Sequence, residues 1–368
     1  NIVENKEAIN DFIDCVIEIS DSVNSDNWNG EDVMGIFFNE FNRYKKKSES
    51  GQVFTPDHIT SLMYKILEVN ANDKILDAAC GSGAFLVKSM SNMIKEVGGI
   101  NTKEAKKIKE HSLFGIEFDR EIFALACANM MIHKDGKTNL EQLDSRDKEA
   151  SEWIKSKGIT KVLMNPPFER KYGCKKIVEN VLNSVPSGIK CAFIMPEKKM
   201  EKDKMGKLLE KHHLEAIIKL PEKLFDAGVT TSIYVFETGK KQVGEIYGCY
   251  IEDDGLERVK NQGRQDIKDK WMELENYWVD SIRKRNDTKY GTSQWIDPKK
   301  FLSYQKPKAE FVLYEEDFVK TMMNYLMFKN KIDVKEFSDK LINKTLYNSE
   351  ILKEDNNIVI KIKDAEDE

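Results

Sequence analysis

Short apolar runs alternate with amphipathic stretches through the middle of the chain. The segment "KILDAAC" (74–80) opens on a strand-length apolar run, and "GSGAFLVKSMSNMIKEV" (81–97) follows with Leu86, Met90, Met93, Ile94 and Val97 at helical spacing. "SLFGIEFD" (112–119) predicts a strand, "REIFALACANMMIHKD" (120–135) a strongly apolar helix, "TNLEQLD" (138–144) a weaker strand and residues 148–158 a helix. Further strands are predicted at "KVLM" (161–164), "IKCAFIMP" (189–196), "LEAIIKLP" (214–221) and "TSIYVFETG" (231–239). Strand and helix in alternation imply right-handed crossovers and a mostly parallel sheet covered on both faces. The predicted fold class is α/β, doubly wound.

In such sheets ligands sit outside the carboxyl ends of the strands. Asp77, Gly81, Gly83, Glu117, Asp144 and Asn165 all fall at or just after a predicted strand end. The glycine turn "GSG" allows a ligand close to backbone at a helix N-terminus, but Leu86 stands where a dinucleotide site has its third glycine. Glu117 ends the next strand, where a carboxylate accepts hydrogen bonds from ribose hydroxyls; beside it, Asp119 is a candidate helix cap. These residues fit an adenosine-containing cofactor. Asp77 suits the ammonium of an amino-acid tail better than a pyrophosphate, which favours S-adenosylmethionine.

"NPPF" (165–168) follows a buried strand, and its two prolines donate no N–H, so the strand must end at Asn165. Either the prolines make a rigid turn, or their rigidity aims an acceptor and an aromatic face at one planar ligand. In the second case the loop offers a carbonyl acceptor and the Phe168 ring to that ligand.

Length and charge narrow the class. At 368 residues the chain suits one large domain with an appendage, or two domains, and a net charge of −5 confines any nucleic-acid contact to local basic patches or a partner. "ERKYGCKK" (169–176) and "EKKMEKDKMGKLLEKHH" (197–213) are such patches, with a solvated helix face as their ordinary alternative. The six cysteines form no CxxC pair and predict reduced thiols in a cytoplasmic protein without a membrane span. His212 and His213 close a charged helix, and no metal site is predicted.

The ordered set "GQVFTPDHI" (51–59), "DAACGSGAFL" (77–86), "FGIEFD" (114–119), "LD" (143–144), "NPPF" (165–168) and "LPEKLFDAGVTTSIYVF" (220–236) resembles the modification (M) subunits of type I restriction–modification systems, within the N6-adenine DNA methyltransferases. The resemblance covers roughly residues 30 to 240. It implies a Rossmann-like, class I fold with S-adenosylmethionine as methyl donor, adenine in DNA as acceptor, and specificity and restriction subunits as partners. It further implies that Gln52, Phe54, Thr55 and Pro56 close over the methionine part of the cofactor, and that Gly81, Ser82 and Gly83 line that end. Glu117 would hold the ribose, Phe118 pack on the cofactor adenine and Asp144 meet its amine, with Asp147 as a rival. The catalytic set it implies is Asn165, Pro166, Pro167 and Phe168. For Thr55 the residues also allow a plain N-cap before a proline-started helix.

Three regions are expected. Residues 1–50 form a helical region with Ile9, Phe12, Ile13, Val16 and Ile17 on one stripe and "DVMGIFFNEFNRY" as a second helix. Residues 51–240 form the catalytic domain, and 241–368 a mixed extension for partner or DNA contact. In that extension "EDFVKTMMNYLMFKNKI" (316–332) is an apolar helix that caps the core or meets a partner, and the acidic tail is disordered. Two other functions fit the residues: methylation of a protein glutamine or an RNA amine, and a non-catalytic, cofactor-binding assembly module.

Overall fold

The computed structural model describes residues 6–37, 55–134, 139–168, 173–202, 206–222, 224–225, 229–259, 263–307, 315–347, 349–354 and 357–362. Among them, β1 (Ile75–Asp77), β2 (Leu113–Ile116), β3 (Leu140–Glu141), β4 (Lys161–Met164), β5 (Lys190–Pro196), β6 (His213–Lys219), β7 (Thr231–Glu237), β8 (Ile246–Tyr250) and a last strand, β11 (Ser293–Ile296), form one sheet. A separate hairpin, β9 (Glu257–Val259) with β10 (Gly263–Gln265), lies between the last two in sequence. The order across the sheet is β3-β2-β1-β4-β5-β7-β6-β8-β11. From β3 to β5 every pair is parallel, so the chain reverses its direction of travel across the sheet at β1 and β4. The α/β, doubly wound expectation holds.

Strand β7 is inserted antiparallel between β5 and β6. Only residues 220–230 separate β6 from β7, which is room for a return loop but short of a helical crossover. The sheet also continues past residue 240, because β8 pairs in parallel with β6 and β11 pairs antiparallel with β8.

Both faces are covered, which explains why the strands read as continuous apolar runs. Ile75, Leu163, Ala192 and Ile194 point into one layer. Leu76, Val162, Met164, Cys191, Phe193 and Met195 point into the other. The first layer receives α2 (Asp57–Ile66), α3 (Ala84–Glu96), α4 (Lys103–His111) and α5 (Arg120–Ile132) through Leu62, Leu86, Ile108 and Met130. The second receives α6 (Lys148–Lys157) and α7 (Cys174–Ser184) through Ile154 and Val178. Gly115 in β2 permits a close approach of α3 and of the neighbouring strand: a Cβ there would overlap Leu140 of β3 and lie 3.0 Å from Leu86 of α3.

The N-terminal α1 (Lys6–Val23) forms as expected, but Ile9, Ile13, Val16 and Ile17 of its apolar stripe are exposed. Residues 24–37 run across α3 and α5 instead. Asn24 Nδ2 donates to the Ile132 carbonyl at 3.0 Å, and the buried Lys88 ammonium pairs with Asp57 at 2.8 Å. Trp28 stacks on His133 with ring centroids 4.2 Å apart.

His133 is buried, with neither ring nitrogen bonded among the described residues, and burial lowers its pKa from 6.5 to about 4. A group lowered in this way contributes its full share to stability above pH 6.5. As pH falls from 6.5 toward 4 the unfolded chain takes up a proton that the folded one refuses, and that share is lost. The wild type should therefore lose melting temperature faster than His133→Phe between pH 7 and 5; parallel curves would remove His133 from the account.

The chain divides into two compact units, Asn1–Lys306 and Pro307–Glu368. The second unit holds two helices, Glu315–Lys329 and Val334–Tyr347, and the hairpin of β12 (Ser349–Glu354) and β13 (Asn357–Ile362). Phe318, Met322 and Phe328 on the first of these helices are exposed, and the acidic tail lies outside the described residues. No helix among the described residues is long and apolar enough to cross a membrane.

Candidate active site

The carboxyl ends of β1, β2 and β4, with the segment after β3, open into one cavity of about 210 Å³. Thr55, Asp77, Gly81, Ser82, Glu117, Phe118, Asp144, Asn165, Pro166 and Pro167 all line it, gathered from loops far apart in sequence by the parallel strand order.

The glycine turn is built for close approach. Gly81 has φ +56° and Gly83 φ +95°, left-handed values that favour glycine. Among the described residues, no atom beyond its chain neighbours lies within 4 Å of where a Gly81 Cβ would stand, which leaves room above that backbone for a ligand. Gly83 caps α3 and is absent from the lining residues.

Glu117 ties this turn to β2. Its carboxylate accepts from the Gly81 N–H at 3.0 Å and from the Asp119 N–H at 2.9 Å. Asp119 in turn caps α5, accepting from Glu121 and Ile122. Burial raises the pKa of Glu117 and pushes that of Asp77 up to about 8, with Glu117 adding to the latter as a like charge. Neither acid has a salt bridge among the described residues. A cavity with one buried and one half-buried acid, and no cation paired with either among the described residues, suits a cationic ligand.

Asp144 differs. Arg146 grips it, Nε lying 2.8 Å from Oδ1, and this pairing lowers the Asp144 pKa. The same guanidinium stands 5.9 Å from the Phe118 ring centroid, and Phe118 is 58 % exposed on the cavity wall. Phe118, with Arg146 over its ring, thus presents an exposed aromatic surface to the cavity on which a flat ring can pack. Asp147 occupies the N-cap position of α6 and does not line the cavity, so Asp144 alone of that pair faces it.

Asn165 ends β4 as expected. Its Nδ2 donates to Thr55 Oγ1 at 2.9 Å, which fixes the amide plane. Its Oδ1 is buried without a hydrogen-bond partner among the described residues. An orphaned acceptor of this kind costs about 1–3 kcal/mol until a donor arrives. Thr55 therefore serves Asn165 and is no cap: Pro56 takes the N-cap position of α2, without a side-chain cap bond. Phe168 is buried beyond the lining, packed edge-to-face on Phe225 at 5.4 Å. Pro56 is likewise absent from the wall, and Gln52 and Phe54 lie outside the described residues.

Cys80 lines the cavity too, but burial raises its pKa well above the ordinary value, which leaves no thiolate for nucleophilic attack. Arg146 is a further site residue, signalled in the sequence only by its place in "DSRD" (144–147); its pairing with Asp144 is a tertiary feature that spacing along the chain does not encode.

Residues 30–191 match the model of the N-6 DNA Methylase family. The chain is 30% identical over 340 residues to the Type II restriction enzyme and methyltransferase RM.BcgI of Heyndrickxia coagulans, covering 85% of this chain and 51% of that protein. It is 22% identical to the Type I restriction enzyme EcoEI methylase subunit of Escherichia coli, covering 52% of this chain and 43% of that one. The chain thus spans about half the length of these relatives. Among solved structures, a modification subunit of a putative type I restriction enzyme from Vibrio vulnificus YJ016 shares the fold, with a TM-score of 0.57 and 19% identity over 71% of this chain and 58% of that one. By this match and these relatives, residues 30–191 of the chain are similar to the N-6 DNA Methylase family.

Proposed function

We propose that the chain transfers a methyl group from S-adenosylmethionine to the N6 amine of an adenine flipped out of DNA, as the modification component of a cytoplasmic restriction–modification system. The observation that carries this reading is the orphaned Asn165 Oδ1, buried on the wall that also holds Gly81 and Glu117. S-adenosylmethionine, when bound, supplies an electrophilic methyl on a cationic sulfur.

The chain's own residues do the rest. Asp77 takes the ammonium of the methionine tail, Gly81, Ser82 and Gly83 shape the turn beneath it, and Glu117 accepts from the ribose hydroxyls. Gln52, Phe54, Thr55 and Pro56 close this end. Phe118 packs on the cofactor adenine, and Asp144, oriented by Arg146, accepts from its amine. Asn165 Oδ1 and the Pro166 carbonyl accept the two N6 hydrogens of the target, drawing the nitrogen lone pair out of conjugation. Thr55 holds the Asn165 amide so that its oxygen faces that amine. Pro167 stiffens the loop, and Phe168 is the ring to stack on the base, which requires it to leave its packing against Phe225. As the sulfur–carbon bond breaks and the nitrogen–carbon bond forms, N6 loses one proton to solvent.

Specificity and restriction functions, whether on separate subunits or elsewhere in a longer chain, are the partners in this reading. The family match over residues 30–191 favours DNA over a glutamine or RNA amine. Incubating the chain with its specificity partner, labelled cofactor and DNA, then digesting the product to nucleosides, should yield N6-methyl-2′-deoxyadenosine. Label in protein or ribonucleoside, or none at all with the partner restored, would reject the proposal.

A further inference from the structure

Asp32 is not among the residues that line the cavity, yet it is tied to the glycine turn that does. Its carboxylate accepts from the Ser82 hydroxyl, from Asn129 Nδ2 at 2.8 Å and from the Gly35 N–H at 2.8 Å. Asn129, fully buried on α5, also donates to the Ser82 carbonyl at 2.8 Å. Ser82 is thereby held at both its hydroxyl and its carbonyl, and it lines the cavity between Gly81 and α3. Three stretches of chain that are remote in sequence meet at this residue.

Gly35 completes the arrangement. A Cβ there would fall 2.2 Å from Asp32 Oδ2 and 2.9 Å from Ser82 Oγ, so glycine is the residue that lets the carboxylate sit where it does. The strap that carries Asp32 is fastened along α3 as well: Lys95 Nζ donates to Asn29 Oδ1 at 2.8 Å, and Ser91 Oγ to the Trp28 carbonyl at 3.2 Å. A half-buried carboxylate satisfied by three donors, one from the turn itself, is well suited to set a backbone conformation.

We propose that Asp32 is a positioning residue for the cofactor loop, acting through Ser82 to hold the turn in the shape that receives the methionine end of the cofactor. The inference rests on the reading of this cavity as an S-adenosylmethionine site. It makes residues 26–35 part of the machinery for binding the donor, although they contribute nothing to the cavity wall. Burial raises the Asp32 pKa, in keeping with a carboxylate that depends wholly on its protein donors.

The test compares two ligands on the full chain by calorimetry. S-adenosylmethionine uses the turn and the adenosine pocket, whereas adenosine uses the pocket alone. Asp32→Ala should weaken S-adenosylmethionine by about 10- to 100-fold and leave adenosine unchanged. Ser82→Ala should show the same split, and the double variant should lose no more than Asp32→Ala alone, because both remove one link. Gly35→Ala, which drives a Cβ into the carboxylate, should behave alike and keeps the test open if Asp32→Ala does not fold. Equal losses for both ligands, or additive losses in the double variant, would overturn the inference and leave the cofactor reading standing. A wild-type chain that binds neither ligand would overturn that reading and this inference with it.

Discussion

Asn165→Ala should bind S-adenosylmethionine like the wild type and transfer methyl groups about 100- to 1000-fold more slowly. The two halves of this expectation come from two sides of one residue. Asn165 reaches the cofactor turn through none of its hydrogen bonds, since its only described partner is Thr55 Oγ1. Its free Oδ1 is the acceptor left for the incoming amine. In the proposed reaction that bond strengthens as the nitrogen becomes pyramidal, so its loss falls on kcat rather than on donor affinity. Single-turnover transfer assays alongside calorimetry separate the two. Transfer within a few-fold of wild type would strip Asn165 of its role, and loss of donor binding would show that the loop shapes the cofactor pocket instead. Thr55→Val should reproduce a smaller part of the effect, because the amide stays but its orientation is freed.

For Asp77→Asn the loss should fall on donor binding, about 10- to 100-fold for a ligand with an ammonium group, with adenosine much less affected. The pH dependence carries a sign of its own. Burial holds the Asp77 carboxyl up to about 8, so near neutrality the free site is mostly protonated there. A cationic tail needs the carboxylate, and its arrival expels the proton. Donor affinity should therefore rise as pH climbs from 6 toward 8 and fall as pH is lowered, with a proton released on binding. Calorimetry in buffers of different ionisation enthalpy reads that proton directly. Asp77→Asn should abolish both the slope and the release; if the slope survives, another group titrates and Asp77 is not the tail's partner.

Several features of this site were legible along the chain because they obey local rules. Prolines at 166 and 167 stop a strand wherever they occur, which placed Asn165 at the rim of the sheet before any tertiary contact was known. Glycines with left-handed backbone mark the turn after β1, and Asp119 caps its helix by short-range bonds to Glu121 and Ile122. By local rules alone Thr55 reads as a helix start, and the resemblance adds a place at the cofactor's methionine end. Its hydroxyl serves a residue 110 positions away, a pairing that no spacing rule encodes.

The alternation of apolar strand and amphipathic helix by itself determined the doubly wound class, and with it the end of the sheet where Asp77, Glu117, Asp144 and Asn165 had to gather. That follows because parallel crossovers bring every strand's carboxyl end to one edge. Only the tertiary structure decided that β7 enters antiparallel, that the sheet runs on through β8 and β11, that Arg146 grips Asp144, and that Asp32 fastens the turn at Ser82. Periodicity reports which way a side chain faces, inward or outward. The identity of the distant group it meets there depends on packing, where one hydrogen bond spans 50 residues of chain and another 97.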